Sequence, residues 1–425
     1  MTEIAILQLG DVHYPDEESR RAIDHADDAL PARLVEGISP NPLQIVIRAI
    51  TKLPPRDRHA YLLCGDLTSR GSVEGYDKCV QYLSDALALT SVADSKFHVV
   101  PGNHDVDRAA VDHDSPTYDQ KFQRLLEAWR QRGKSLTTTR FRNTLLRVKS
   151  CKSAIYSLNS SIGCGERRFL PAQITTELTA LLSEYERQTS THEAFTLLGE
   201  VLDTPAFLEN DISEVTGHIG GLPDSILPVI VSHHNLLPQA TPRLSLYAEL
   251  VNAGLTRARL SRLGRPVIYC HGHIHDTPVE IITNPDRVSG SLISISAPLL
   301  SDGFNVVRVR FGERRTPIGV MLSRYKLDQR TLRISPDQTP IRIFPTIPGR
   351  WQTLAHPSLP GVLARLRSGR LYRLVDAFHA YSKRNPGLRE SVFAEVIEEG
   401  FWLGLLQVQD HDLDFPHWKI EKVIR

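Results

Sequence analysis

Two histidines stand one residue apart, His273 and His275, directly after the apolar run from Pro266 to Cys270. Neutral imidazole rings at this spacing crowd each other, and protonated rings repel each other. A divalent metal ion removes the conflict, because neutral imidazole is one of its best protein ligands. A Gly-His-x-His sequence can equally form a polar loop. The question is therefore whether other metal ligands reach the same place.

Four further apolar segments also end in residues that can bind a metal. These residues are Asp11 and His13, then Asp66, then Asn103 with His104, and finally His233. A single Asp or His after a strand is usually a turn residue, but turn chemistry rarely produces a series of five such coincidences. The carboxyl ends of the strands in an open α/β sheet lie along one edge, where ligands bind. The pattern therefore predicts one cleft with a metal centre.

The segments that precede these residues predict the sheet. They are short and almost continuously apolar, as expected for strands covered on both faces, and lie at residues 4–9, 60–64, 97–100, 228–231 and 266–270. A further strand is predicted at 154–158, and amphipathic helices fill most of the intervals, so we expect an α/β fold. Three strands then follow without long helices, at 292–296, 306–311 and 318–325, which predicts a second sheet packed on the first.

Composition indicates an ordinary globular chain of 425 residues, with 41% hydrophobic and 23% charged residues. Lys and Arg (50) nearly balance Asp and Glu (49), which argues against a general nucleic-acid binder but leaves a local basic groove open. We find no signal sequence and no apolar stretch near the ~20 residues of a membrane helix. The five cysteines show no C-x-x-C spacing. We therefore expect a reduced cytoplasmic protein without a membrane partner.

The rest of the chain predicts additions to a main domain at residues 1–333. An insertion is expected at about 187–226, a Pro-rich linker or strap at 334–360, and a mainly helical C-terminal extension at 361–425 with two amphipathic helices between 371 and 406. The segment 15–41, rich in Pro, Asp and Glu, is expected to be a loop with a short helix beside the site.

The chain resembles the calcineurin-like metallophosphoesterases over about residues 4–311, in the order and the residues of five motifs. They are Asp11-x-His13, Gly65-Asp66, Gly102-Asn103-His104-Asp105, His233 and Gly272-His273-x-His275. The resemblance implies a four-layer α/β/β/α sandwich of two mixed sheets with a dinuclear metal site. It assigns the first metal to Asp11, His13, Asp66 and His275. It assigns the second to the bridging Asp66 with Asn103, His233 and His273.

The chemistry that this resemblance implies is attack on phosphorus by a hydroxide that bridges the metals. The mixed His, Asp and Asn ligands suit manganese, iron, zinc or nickel better than calcium. His104 resembles the family histidine that donates a proton to the leaving group, and Asp105 is expected to orient its ring. His234 and His271 adjoin ligands and are expected to support them. Asn159 is expected to cap a strand end rather than to contact substrate.

The substrate class rests on a narrower resemblance. The run from Gly65 to Tyr76 looks most like the cyclic-nucleotide phosphodiesterase branch, so we expect a phosphodiesterase for a nucleotide-type, cyclic substrate. A DNA or RNA nuclease of the same family is the second hypothesis. The third is an effector module that binds a protein partner through its C-terminal helices. Arginines 257, 259, 262 and 265 are expected to form an exposed helix end, with a nucleic-acid groove as the minority interpretation.

Overall fold

The computed structural model describes residues 2–14, 42–68, 75–111, 118–166, 172–189, 204–237, 250–283, 291–337, 341–343, 355–409 and 415–423. The predicted loop at 15–41 lies outside these residues, as do parts of the predicted insertion and linker. Among the helices that are described, none has the length and apolar character needed to cross a bilayer.

The first sheet has seven strands and begins with the N-terminal segment. Its strands are β1 (Thr2–Leu9), β2 (Ala60–Leu63), β3 (Phe97–Val99), β10 (Gly303–Phe311), β11 (Pro317–Asp328), β12 (Arg333–Pro336) and β13 (Ile341–Ile343). The order is β12-β11-β10-β1-β2-β3, with β13 paired to β11. β1, β2 and β3 are parallel, whereas β10 runs antiparallel to β1. The sheet is therefore mixed.

The second sheet has six strands. They are β4 (Arg142–Val148), β5 (Cys151–Ser157), β6 (Ile226–Val231), β7 (Val267–His271), β8 (Val279–Thr283) and β9 (Ser291–Ser296), in the order β4-β5-β6-β7-β9-β8. β5, β6, β7 and β9 are parallel to one another, and the edge strands β4 and β8 run antiparallel to β5 and β9. The polar edge strand β4 has no counterpart in the sequence-based prediction.

Helices cover the outer face of each sheet. The first sheet packs against α1 (Pro42–Lys52), α2 (Gly75–Ala86) and α3 (Gln123–Gln131) in one hydrophobic core. The second sheet packs against α5 (Glu209–Gly220) and α6 (Ala253–Ser261), while α4 (Ala172–Thr189) precedes them in the chain. A third core between the sheets joins Ile6 and Val307 to Ile155 and Val229. These layers confirm the four-layer α/β/β/α sandwich.

The three late strands divide between the sheets in a way that their sequence did not predict. Of the segments at 292–296, 306–311 and 318–325, only the first belongs to the second sheet, as β9. The other two, β10 and β11, return to the first sheet beside β1. The second sheet itself consists mostly of strands that alternate with helices.

The C-terminal extension combines helices with a small sheet. It contains α7 (Leu359–Leu363), α8 (Leu374–Ser382) and α9 (Glu390–Trp402), and the last two match the predicted amphipathic pair. Strands β14 (Leu371–Arg373), β16 (Lys419–Lys422) and β15 (Leu406–Gln409) add an antiparallel sheet that the prediction lacked. Within the predicted linker, β12 ends and β13 pairs with β11. The extension packs on the first sheet, where the Trp402 ring lies against Gly319.

Candidate metal centre

The parallel strands of both sheets end on the same side of the sandwich, and the predicted ligands follow these ends. The loop after β1 is fixed to the loop after β2, because the backbone N–H groups of Val12 and His13 both donate to the Asp66 carbonyl at 2.9 Å. The loop after β7 is fixed to the loop after β6 through the Gly272 N–H, which donates to the His233 carbonyl at 3.0 Å. The ligand positions are thus set by backbone bonds between loops.

Four of the predicted ligands have left-handed backbone conformations. The φ angles are 43° at His13, 49° at Asp66, 69° at His273 and 54° at His275. Residues with a Cβ rarely adopt this region, and such strain tends to concentrate at functional sites. The turns direct these side chains back toward the cleft instead of onward along the strands.

Asp11 connects the two sheets. Its carboxylate is fully buried and accepts the His273 N–H at 3.0 Å on both oxygens. His233 Nδ1 lies 3.6 Å and His275 Nε2 4.0 Å from Asp11 Oδ1. A Cβ on Gly272 would approach Asp11 Oδ2 to 2.8 Å, so a glycine there allows this close packing.

Asp66 lies between two groups of histidines. Its Oδ1 accepts the backbone N–H of His104 at 2.9 Å, while Oδ2 lies 3.3 Å from His233 Nε2 and 3.8 Å from His13 Nε2. The side chain is 1% exposed. A carboxylate in this position can contact cations on either side, as a bridging ligand does.

His233 has one ring nitrogen fixed by the backbone. Its Nδ1 donates to the Cys64 carbonyl at 2.7 Å, which leaves Nε2 facing Asn103 Oδ1 at 3.0 Å and Asp66. Histidines that bind metals commonly hold their second nitrogen in such a bond, because it sets the tautomer and the ring orientation. His233 is therefore oriented as a ligand would be.

His13 and His275 bring two ring nitrogens together. Their Nε2 atoms are 3.1 Å apart, so only one of them can carry the shared proton. Side-chain exposure is 20% for His13 and 39% for His275, in contrast to the buried Asp11 and His233. This pair lies on the side of the centre that opens to solvent.

Three overlapping sets of side chains could each hold a metal ion, with ligand atoms within 4.8 Å of one another. They are Asp11, His13 and His275; Asp11, Asp66 and His233; and His233, His234 and His273. Asn103 joins them through its bond to His233. The structure thus brings all seven predicted ligands to one place, and their oxygen and imidazole donors fit divalent metals of the first transition row.

The carboxylates and histidines of the cluster shift one another's pKa. Burial raises the pKa of Asp11 to about 7, against the effect of His233. Burial also acts to raise the pKa of Asp66, but the neighbouring histidines outweigh it and lower that pKa below its usual range. Burial alone would lower the pKa of His233, but the charges of Asp66 and Asp11 raise it to about 9. A bound cation would stabilise both carboxylates and leave the histidines neutral.

His104 and Asp105 differ in where they point. The His104 ring is partly exposed and lies 5.3 Å, centroid to centroid, from the His13 ring. Asp105 is buried, and its carboxylate accepts backbone N–H groups of Leu67 at 2.8 Å, Thr68 at 3.4 Å and Gly102 at 2.9 Å. Burial raises its pKa to about 7. Its described contacts therefore join the second and third motif loops, whereas the sequence led us to expect contact with the His104 ring.

His271 and His234, which were expected to support the ligands, occupy different positions. His271 is buried with Nδ1 against the Gly272 carbonyl at 3.0 Å, in a supporting position. His234 bonds Ser160 Oγ through Nδ1 at 2.8 Å, and its ring lies 4.5 Å from that of His273. Its buried Nε2 has no hydrogen-bond partner among the residues that the structure describes. His234 thus lies closer to the centre than its sequence position indicated.

A pair of buried amides supports the last motif and was missed at the sequence level. Gln8 Nε2 donates to the carbonyls of His271 at 3.1 Å and Ile295 at 2.9 Å, and Asn305 Nδ2 donates to Gln8 Oε1 at 3.1 Å. Both side chains are fully buried. The available signal was a glutamine within an otherwise apolar strand, which needs partners when buried.

Two expectations about polar residues near the site have different outcomes. Asn159 caps the end of β5, since its Oδ1 accepts the Ser161 N–H and its Nδ2 donates to the Thr138 carbonyl, each at 2.8 Å. The expected exposed group of four arginines is wrong for Arg265. That residue is buried and donates to the carbonyls of residues 219, 222, 223 and 226. Arg259 pairs with Glu209 at 3.0 Å.

Comparison with known proteins gives a match at the family level. The family model described as calcineurin-like phosphoesterase matches residues 4–277. Comparison with curated proteins gives no match.

Solved structures similar to this chain include three with low sequence identity. The GAP50 anchor of the inner membrane complex of Plasmodium is 11% identical, with 81% of this chain and 89% of that chain covered and a TM-score of 0.41. The phosphopantetheinyl hydrolase of Mycobacterium tuberculosis is 15% identical (70% and 90% covered, TM-score 0.36). The calcineurin-like phosphoesterase YfkN of Bacillus subtilis is 11% identical (81% and 91% covered, TM-score 0.36).

Proposed function

The chain belongs to the calcineurin-like phosphoesterase family, and from this premise we propose that it is a dinuclear metal-dependent phosphodiesterase for a nucleotide-type phosphodiester, foremost a cyclic nucleotide. The observation that carries the proposal is the convergence of seven metal-binding side chains from five loops. Their sequence separation, from Asp11 to His275, makes a chance assembly of this composition improbable.

The geometry supports two metal positions that share Asp66. Asp11, His13, Asp66 and His275 would hold one ion, and Asp66, Asn103, His233 and His273 the other. When bound, such ions neutralise the charge on phosphoryl oxygens and lower the pKa of a coordinated water. The ligands suit manganese, iron, zinc or nickel. His234 would pack against the second group and orient His273.

The exposed side of the centre gives His104 a direct role in our proposal. Because His13 and His275 are more exposed than Asp11, Asp66 and His233, substrate would approach past them, and the His104 ring lies next to His13. There a protonated imidazole can give its proton to the leaving oxygen as the ester bond breaks. Asp105 would act as a positioning residue, since it holds together the loops that carry Asp66 and His104.

The diester preference rests on the resemblance of residues 65–76 to the cyclic-nucleotide branch. Residues 69–74 lie outside the described part, and the described remainder of this run is the second motif loop up to residue 68 and the start of α2 at Gly75. A nuclease would need an extended basic surface, and burial of Arg265 removes one of the four arginines that could have supplied it near α6. We also propose a cytoplasmic location, supported by five buried cysteines without a disulfide.

The first test compares two aryl esters. Purified protein with Mn²⁺ should hydrolyse bis(p-nitrophenyl) phosphate faster than p-nitrophenyl phosphate, and Asp66→Ala should abolish both activities. Asp85→Ala, on the exposed side of α2, is the matched control and should keep full activity. Absence of hydrolysis with every divalent metal tried would refute the enzymatic proposal.

The second test assigns the substrate class. Cyclic nucleotides and labelled single-stranded DNA are offered to the same preparation, and products are separated by chromatography. Cyclic nucleotides should be converted to nucleoside monophosphates. Cleavage of DNA alone would replace our first choice with the nuclease.

A further inference from the structure

A second polar cleft lies at the opposite end of the sandwich from the metal centre. It has a volume of about 760 Å³, within the range of small-molecule sites. Its walls include Glu3 at the start of β1 and Asp57 and His59 just before β2, so it lies at the amino ends of these strands. β1 alone, with eight residues, separates the two ends by about 25 Å.

The floor of the cleft is built from two fixed arginines. Arg308 donates to Ser323 Oγ at 2.8 Å and pairs with Asp57 at 3.2 Å. Arg310 pairs with Glu3 at 2.7 Å and with Glu398, and its guanidinium lies 4.9 Å from the Trp402 ring centre. The Arg310 Nε has no partner among the described residues. All three carboxylates of the cleft are thus already paired.

Two further cations line the cleft. Arg56 precedes β2 and Lys149 lies in the turn between β4 and β5, so they come from different sheets. Both are exposed, and neither forms an ion pair with any residue in the described part of the chain. With Arg308 and Arg310 they make four cations against three carboxylates.

His59 adds a donor to the same wall. Its Nδ1 accepts the Ala5 N–H at 3.0 Å, and burial lowers its pKa, so the neutral ring carries its hydrogen on Nε2. Arg56, Lys149 and the His59 Nε2–H thus present hydrogen-bond donors to the cleft, and an acceptor-rich anion is the ligand that satisfies them.

We propose that this cleft is a second binding site, distinct from the metal centre, for a small phosphate-bearing metabolite whose phosphate is held by Arg56 and Lys149. A phosphate monoester carries −1.5 to −2 charges at pH 7, which suits the two unpaired cations. Arg56 and Lys149 line the cleft from the two sheets, together with Arg308 and Arg310. The proposal does not depend on the proposed substrate.

The experiment titrates inorganic phosphate and pyrophosphate into the full chain by calorimetry, after the metals have been removed with a chelator. Wild type and Asp66→Ala should bind with equal affinity. Arg56→Glu/Lys149→Glu should bind at least about tenfold more weakly. The matched control is Arg48→Glu/Lys52→Glu, which reverses two exposed charges on α1 outside the cleft and should bind as the wild type does.

Several outcomes would overturn the site. They are no binding by the wild type, loss of binding in Asp66→Ala, equal weakening in both charge-reversal variants, or unchanged binding in Arg56→Glu/Lys149→Glu. Because all four substituted side chains are exposed, the fold should persist, and circular dichroism checks this for each variant.

Discussion

The backbone N–H of His104 donates to Asp66 Oδ1 at 2.9 Å, so the residue proposed as proton donor is tied to the residue proposed as bridging ligand. The same carboxylate packs against Gly102, where an added Cβ would lie 2.0 Å from Asp66 Oδ1. The second and third motif loops therefore leave no space for a larger residue at their contact.

Gly102→Ala should displace Asp66 and reduce hydrolysis by about 10²-fold or more, since shifts near 1 Å have effects of this size. Metal content, measured by mass spectrometry, should fall together with activity. Gly217→Ala, in α5 with open space around it, is the control and should keep both. Full metal content and activity in Gly102→Ala would show that the loops can separate freely.

His104→Ala should lower the rate for substrates with poor leaving groups by about 10²–10⁴-fold, because proton donation contributes this much. The loss should be much smaller with p-nitrophenolate, which leaves without a proton. The measurement is kcat over a series of aryl and alkyl diesters. His379→Ala, at the exposed surface of α8, serves as the control. An equal loss for all leaving groups would contradict the role.

Glu399 should make the folded protein less stable as the pH rises. Burial raises its pKa to about 7 from 4.5, although the N–H groups of His356 and Glu313 act against this shift. The folded state therefore keeps a proton that the unfolded state releases, and stability falls between pH 4.5 and 7. Across this range the free energy of unfolding falls by about 3 kcal/mol.

Glu399→Gln should remove this dependence, because the amide keeps an acceptor oxygen and does not ionise. Urea unfolding at pH 5 and pH 8 measures the pH dependence. The free energy of unfolding of the variant should approach that of the wild type at pH 5 and exceed it at pH 8. Glu390→Gln, exposed at the start of α9, should follow the wild type at both pH values. A variant less stable at pH 8 would exclude a buried charge as the cause.

Arg265→Lys should destabilise the fold by about 3 kcal/mol, because four backbone carbonyls lose their shared donor. The free energy of unfolding in urea measures the effect. Arg262→Lys, three residues earlier and exposed, should change stability by less than about 0.5 kcal/mol. Similar free energies of unfolding for the two variants would mean that water molecules hydrogen-bond to the four carbonyls in place of Arg265.

Sequence patterns predicted the parts of the fold that depend on local chemistry. Continuous apolar runs located β1, β2, β3, β6 and β7, since strands covered on both faces need apolar residues throughout. The residues after these strands also predicted the ligands of the candidate metal centre, because the direction of the strands determines which strand ends lie together.

The remainder depended on contacts between distant residues. β4 is a polar edge strand that owes its structure to pairing with β5, and such pairing leaves little trace in composition. Asp105 and His104 are neighbours in sequence, yet the Asp105 carboxylate reaches amide groups near residue 67. Arg265 resembled its solvated neighbours, and only the position of α5 brings carbonyls around it. Likewise, β10 belongs to the first sheet because it pairs with β1, and β11 follows because it pairs with β10.

The pairing of β1 with β10, from Thr2 opposite Phe311 to Gln8 opposite Asn305, has a consequence for the order of events during synthesis. At ~5–20 residues per second, β1 must wait about 15–60 s for its antiparallel partner to be made. Until then its edge is an unpaired template, and the protein has a high contact order that slows folding. The nascent chain should therefore depend on chaperones more than a protein of this length with local strand pairing.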